Sequence, residues 1–208
     1  MPPKSQACCS HDHDCEATDC GVSYSLYKHV DVSQVRCLNE RVPGSGRNVL
    51  RPWHQRLESV SQPLRSNEDD TELLLHIPFD GAVKLKGVAV IGGSDGTAPS
   101  SMKAYINRDD LDFATAHDLL PVQEWELVED LRGVMEYPTH VAKFNGVHSI
   151  DLLFSGSFGA DFSEIQFIGL KGEFSERKRQ AVEAVYETKP MPGDHKVPGM
   201  DQGAHWHV

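Results

Sequence analysis

The feature that most constrains this chain is a two-residue alternation of apolar and polar side chains, repeated in short runs along its middle. In 83–86, valine and leucine alternate with lysines. Ile150, Leu152 and Phe154 fall on one face of an extended segment, and Asp151 falls on the other. Successive side chains of a strand point to opposite sides of a sheet, so this period predicts half-buried strands. The same type of pattern predicts further strands at 73–77, 88–91, 102–106, 124–128, 140–144, 165–170 and 181–186.

Turn and helix signals divide these runs. Asn145-Gly146 lies between two apolar runs, and both residue types tolerate positive φ, so a hairpin turn is expected there. Asp31 is expected to cap a short helix that runs to Leu38, and Asp110 or Asp112 to start another over 114–119. About eight short strands with long loops at 39–70 and 107–121 predict an all-β fold, an antiparallel β-sandwich or jelly roll.

Charge and apolar content exclude several functional classes. The 31 acidic and 20 basic residues give a net charge of -11, which argues against nucleic-acid binding, since that depends on clustered Lys and Arg. No run approaches the roughly 18 apolar residues of a membrane span, and the first residues lack a secretory signal core. The chain is therefore expected inside the cell, without a membrane partner.

A cluster of thiols and imidazoles lies near the first residue. Its metal-ligating candidates are Cys8, Cys9, His11, His13, Cys15 and Cys20. These are the donors that zinc prefers, but the spacing matches no closed structural site. Three interpretations stay open: a zinc site, weak metal binding or reversible oxidation, and a tail without either role.

The other end carries a second histidine-bearing segment. His205 and His207 flank Trp206 and precede the carboxylate of Val208, so in an extended strand both imidazoles point to one side. Such a segment could offer ligands to a metal held by another protein, with Trp206 as an apolar anchor. The alternative is a chain end without a role.

No catalytic set emerges from the sequence, and no cofactor is expected. Glycine-flanked serines do not match a nucleophile elbow, and Cys37 lies in an apolar pattern typical of a small core residue. The glycines of 92–96 follow a strand without the lysine ending of a phosphate loop, which predicts a turn.

The loop at 39–70 contains residue types that are enriched at protein interfaces. The candidates for partner binding are Arg51, Trp53, His54 and Arg56. Loops on a rigid scaffold commonly carry recognition surfaces. The alternative for Trp53 is that it plugs one end of the sandwich.

Several segments, in order, resemble the PITH domain, the proteasome-interacting domain of thioredoxin-like proteins. They are Cys37-Leu38-Asn39-Glu40, Gly44-Ser45-Gly46, Leu50-Arg51-Pro52-Trp53, 69–79, 83–87, Leu111-Asp112-Phe113, Phe158-Gly159-Ala160-Asp161 and 168–173. The resemblance covers about 21–188, with tails at 1–20 and 189–208. The Cys-Gly-Pro-Cys type of motif of a thioredoxin domain is absent, so the chain is similar to single-domain PITH proteins.

This resemblance implies a jelly-roll β-sandwich, similar to galactose-binding-like domains, and a non-catalytic adaptor or regulator of the 26S proteasome that docks on its regulatory particle. It further implies that the segment after the sandwich, with His195 and His205 to Val208, reaches the zinc deubiquitinase of the lid. There His205 and His207 would be metal ligands in trans. Two rival functions are a small-molecule or carbohydrate-binding jelly roll and a redox protein using the N-terminal cysteines.

Overall fold

The structure, a computed structural model, describes residues 24–175, and its regular secondary structure is mostly antiparallel strand. The strands are β1 Arg36–Leu38, β2 Leu64–Arg65, β3 Leu73–Gly92, β4 Pro99–Ile106, β5 Gln123–Glu126, β6 Tyr137–Pro138, β7 Asn145–Ser157 and β8 Glu164–Ser175. The α-helix α1 spans Phe113–Asp118, and short 3-10 helices span Leu26–His29, Val32–Gln34, Ser45–Arg47 and Trp53–Gln55.

The long strand β3 organises the fold because it has different partners along its length. The strand order is β2-β8-β3-β7-β4-β5, and β1 and β6 also pair with β3. Strand β3 pairs with β7 over 73–78 and again at 83–84, and it pairs with β8 over 82–92. Its register with β7 shifts between Pro78 and Val83 and between Val83 and Lys84. Strand β3 therefore links the side of the sandwich with β8 and β2 to the side with β7, β4 and β5. The predicted antiparallel β-sandwich of jelly-roll type is confirmed.

One large apolar core lies between the layers, and the alternation predicted its members. Leu73, Leu75 and Ile77 of β3 are fully buried, as are Ile150 and Leu152 of β7. All of them belong to one cluster. The predicted inward face of β7 is therefore confirmed.

The opposite face of β7 is also buried, unlike the half-buried sheet that was expected. Asp151 is only 2% exposed. Leu153 of the same face joins Leu74, Tyr105 and Ala116 in a second, smaller cluster. Ala116 lies in α1, so this helix and its flanking residues cover the face. The local alternation cannot predict that a helix from another part of the chain packs on this face.

The helix predicted over 114–119 is confirmed and begins at its expected cap. Asp112 accepts a hydrogen bond from the backbone N–H of Thr115 at 2.7 Å. The helix expected from Asp31 to Leu38 is only partly correct. Asp31 caps a 3-10 helix that ends at Gln34, and β1 follows because its residues pair with β3 instead of continuing the helix.

The strand and hairpin expected around Asn145 are wrong. Residues 140–144 form a turn in which the N–H groups of Lys143 and Phe144 bond to the His140 carbonyl. Asn145 instead begins β7, which pairs with β3 and β4 and not with the adjacent residues 140–144. Phe144 is fully buried, so the apolar signal there belongs to a core anchor in a turn and not to a strand.

The runs expected at 73–77, 83–86 and 88–91 are parts of the single strand β3, and the turn predicted after it is confirmed at 94–97. The strand expected at 181–186 lies outside the described residues. The expected division into 1–20, 21–188 and 189–208 stays a prediction.

Candidate functional site

Trp53 packs on the outer face of β8, and the sequence on both sides favours this placement. Ile168 donates its backbone N–H to the Val49 carbonyl at 2.9 Å, which holds the chain beside β8 just before Trp53. The ring meets Phe167 edge-on with centroids 5.9 Å apart. Gly169 leaves room for the indole, because a Cβ there would lie 3.1 Å from Trp53 Cζ3. Trp53 is therefore partly buried against a sheet face.

Three cationic side chains surround these aromatic rings. The Arg56 guanidinium lies 4.8 Å from the Trp53 ring centroid, and Lys171 Nζ lies 4.4 Å from it. Arg51 lies 5.9 Å from the Phe167 centroid. Such contacts contribute about 0.5 to 2 kcal/mol each, depending on desolvation. We call Arg51, Trp53, Arg56, Phe167 and Lys171 the Trp53 cluster.

The two arginines of the cluster are held by backbone carbonyls. Arg51 donates to the carbonyls of Glu58 at 3.1 Å and Gln166 at 3.2 Å, and Arg56 donates to that of Trp53 at 3.3 Å. Burial lowers the pKa of Arg51, against the opposing charge of Glu58. The Nε atoms of Arg51 and Arg56 are buried and have no acceptor within the part of the chain that the structure describes.

A second loop, which the sequence did not single out, meets the cluster at Gly133. Gly133 has φ +66°, and a Cβ there would lie 2.9 Å from Ile91 Cδ1 and 3.4 Å from Arg56 Cδ. Asp130 shapes this loop by accepting from the N–H groups of Arg132 at 2.8 Å, Gly133 at 3.0 Å and Met135 at 2.7 Å. The spacing of Asp130 and Gly133 is the local signal that could have indicated this turn.

The charge of Asp130 is stabilised by these donors. Burial raises its pKa, but the backbone hydrogen bonds, that of Met135 first, outweigh burial and the net pKa is lowered. The carbonyl of Asp130 also accepts from Gly92 N–H at 3.3 Å, which attaches the loop to the end of β3. The loop is thus fixed by its own carboxylate and not by an apolar interior.

The structure brings together three of the four partner-binding candidates predicted in the 39–70 loop. Arg51, Trp53 and Arg56 converge in the Trp53 cluster, whereas His54 is exposed to solvent. The remaining candidates lie outside the described residues: Cys8, Cys9, His11, His13, Cys15, Cys20, His195, His205, Trp206, His207 and Val208.

Cys37 packs against the core, as expected for a small core residue. Burial raises the pKa of its thiol, and the charge of Glu40 adds to the effect. A nucleophilic thiolate requires a lowered pKa, so this environment disfavours one.

A buried titratable pair joins β3 to β7 on the face covered by α1. His76 Nδ1 and Asp151 Oδ1 are 2.7 Å apart, and Asp151 Oδ2 is buried without a hydrogen-bond partner among residues 24–175. Burial raises the pKa of Asp151, and its contact with His76 offsets this only in part. Their directly opposed register makes the pair a link between the two strands.

The fold and these surfaces define a class: a jelly-roll β-sandwich with a cluster of aromatic and cationic side chains where the 39–70 loop lies over β8. The model of the family described as PITH domain matches residues 16–190. The chain belongs to the PITH domain family. It is similar to PITH domain-containing protein 1 of Dictyostelium discoideum, with 39% identity over 187 residues covering 90% of each chain. The mouse protein of the same name is 40% identical over 178 residues, which cover 85% of this chain and 83% of that one.

Among solved structures, CBM32-3 from a family 31 glycoside hydrolase of Clostridium perfringens is 13% identical, with a TM-score of 0.47. The match covers 74% of this chain and 97% of that one. No helix within residues 24–175 is long and apolar enough to cross a membrane.

Proposed function

We propose that this chain is a non-catalytic adaptor or regulator that docks on the regulatory particle of the 26S proteasome, in the cytoplasm and nucleus. The observation that carries the proposal is the Trp53 cluster, in which a partly buried Trp and two arginines converge on β8 beside a loop that exposes apolar side chains. Trp and Arg are the residue types that dominate binding energy at protein interfaces. The resemblance to proteasome-interacting domains supplies the identity of the partner.

The last residues form the second part of the proposal. A catalytic zinc keeps one coordination position open for water, and an imidazole or carboxylate that entered it would inhibit the enzyme. The imidazoles of His205 and His207 are suitable ligands for the zinc of the lid deubiquitinase. His195 and Trp206 would contact the protein around that site.

Affinity purification of the tagged chain from cell extract tests the docking itself. Regulatory-particle subunits are expected to co-purify in near-stoichiometric amounts. Purification without proteasome subunits, together with saturable binding of galactose, would support the rival carbohydrate-binding function instead.

A truncation separates the two parts of the proposal. A chain ending at residue 188 is expected to relieve inhibition of ubiquitin cleavage by the proteasome, as is the double variant His205→Ala, His207→Ala. Trp206→Ala is the matched control, because it leaves both imidazoles and should change affinity more than inhibition. Unchanged binding and unchanged ubiquitin cleavage with the truncated chain would refute the role of the tail.

A further inference from the structure

Beside the Trp53 cluster, apolar side chains are exposed on two segments that touch each other. Leu57 is 60% exposed and Val134 is 77% exposed, and Leu131 and Met135 are also exposed. These are four of the nine large apolar side chains exposed within residues 24–175. The segments meet where Gly133 approaches Arg56. We call Arg56, Leu57, Leu131, Arg132, Val134 and Met135 the Arg56 surface.

The loop that presents this surface is ordered by specific hydrogen bonds. Asp130 is buried, and its carboxylate accepts three hydrogen bonds from backbone N–H groups, which fix the backbone from Arg132 to Met135. On the far side of the loop, Glu136 forms an ion pair with Lys171 at 2.5 Å. Val134 and Leu131 are therefore displayed to solvent by a constrained backbone. Preorganised apolar side chains lose little entropy when a partner covers them.

The charges of the surface indicate the chemistry of that partner. Neither Arg56 nor Arg132 forms an ion pair within residues 24–175. The nearby carboxylates of Asp130 and Glu136 are already engaged, by backbone N–H groups and by Lys171. The surface thus offers two uncompensated guanidinium groups on a chain whose net charge is -11. Planar guanidinium groups bind carboxylates with two parallel hydrogen bonds.

We propose that the Arg56 surface binds an acidic segment of a partner protein, whose aliphatic side chains cover Leu57, Leu131 and Val134 while its carboxylates pair with Arg56 and Arg132. This inference rests on the proposed function in that the partner is a protein. Arg56 is held over the Trp53 ring, so its position is set before binding.

Binding to purified 26S proteasomes by the full chain gives the first test. Val134→Asp and Arg56→Glu are each expected to weaken binding at least tenfold, which corresponds to about 1.4 kcal/mol. Arg56→Lys keeps the charge but loses the planar fork, so a smaller loss is expected. Leu120→Asp is the matched control, because Leu120 is 94% exposed between α1 and β5, outside the surface, and binding should not change.

The results separate this inference from the proposed function. If Val134→Asp and Arg56→Glu both bound proteasomes as tightly as the wild-type chain does, the inference would be overturned. The proteasome would still be the partner. Each variant should still unfold in one cooperative transition, which shows that the fold is intact. Val134→Asp should leave the melting temperature unchanged, whereas Arg56→Glu should lower it by a few degrees because the contact with the Trp53 ring is lost.

Photocrosslinking decides the matter if the wild-type chain does not bind proteasomes. With p-benzoylphenylalanine in place of Val134, illumination in cell extract should yield crosslinks to a segment with several Asp or Glu within about five residues of the attachment point. Adding Arg56→Glu should abolish them. Crosslinks to a second copy of this chain, crosslinks to a segment without carboxylates, crosslinks insensitive to Arg56→Glu, or no crosslinks at all would overturn the inference.

Discussion

Replacing Trp53 by alanine tests whether the packing of this side chain against β8 stabilises the fold. The substitution removes the edge-on contact with Phe167 and the ring under Arg56 and Lys171. It also leaves open the space beside Gly169, which has no side chain of its own to fill it.

The structure sets the size of the effect. Replacing a fully buried Trp by Ala costs about 3 to 5 kcal/mol, and a partly buried one costs less. The aromatic pair adds about 0.5 to 1.5 kcal/mol, and each cation contact at a partly exposed site adds about 0.5 to 1 kcal/mol. Contacts that share one ring are not additive, so the expected total is about 2 to 4 kcal/mol. Because 1 kcal/mol shifts the melting temperature of a chain of this size by about 2 to 4 °C, a decrease of roughly 5 to 15 °C is expected.

Thermal and urea unfolding of the full chain measure this effect. Trp53→Phe should recover part of the loss, because a ring on Phe167 remains. His54→Ala is the matched control: His54 is exposed in the same 3-10 helix, and its loss should change stability by less than about 0.5 kcal/mol. If Trp53→Ala were as stable as His54→Ala, the ring would not support β8, and its contribution would be to partner binding alone.

Three further predictions concern groups away from that ring. Asp130→Asn should lower the free energy of unfolding by about 1.5 to 3 kcal/mol at pH 7 in urea unfolding, because a charged acceptor of backbone N–H groups is lost. The pKa of Asp130 is lowered in the folded state, so this cost is present above the ordinary pKa of 3.8. The cost disappears as pH falls through the pKa of the folded state. His76→Leu should cost about 3 kcal/mol at pH 7, since it leaves Asp151 buried without a partner. The raised pKa of Asp151 means that this cost should shrink as pH falls and the carboxyl is protonated, and a constant cost from pH 7 to pH 4 would contradict the account. In a variant whose four N-terminal cysteines are serine, Cys37 should react with a disulfide reagent at least tenfold more slowly than free cysteine at pH 8 until urea is added; equal rates in the native protein would show that it is not shielded.

Local alternation predicted the strands because the apolar side chains that form the pattern are the ones whose burial stabilises the sheet. Leu73, Leu75 and Ile77 each meet the core at the expected period. The alternation did not predict that β3 is continuous, because the register shift between Pro78 and Val83 is spanned by pairing with β7 and β8, which follow much later in the chain.

Long-range covering explains the two main departures from the expected fold. Asp151 is polar at an apparently solvated position, but α1 returns over it from a distant part of the chain. Phe144 gave an apolar signal like that of a strand, although it anchors a turn whose hydrogen bonds are local. A single apolar residue in a short run does not distinguish a buried turn residue from a strand residue.

The candidate site was predictable in part. Residue type alone indicated four candidates in the 39–70 loop, Arg51, Trp53, His54 and Arg56. His54 does not join the cluster. The convergence of the other three with Lys171 requires β8 to pass beneath the loop, which only the tertiary structure provides. The loop around Gly133 joins the site through a contact with Arg56, and that contact is not encoded in neighbouring positions.

Hydrogen exchange of the full chain, free and bound to purified 26S proteasomes, tests the docking proposal most directly. Slower exchange on binding is expected in 53–58 and 130–136, with little change in 119–124. A single protected region on another face, or identical exchange in the free chain and in a verified complex, would contradict docking through the Arg56 surface.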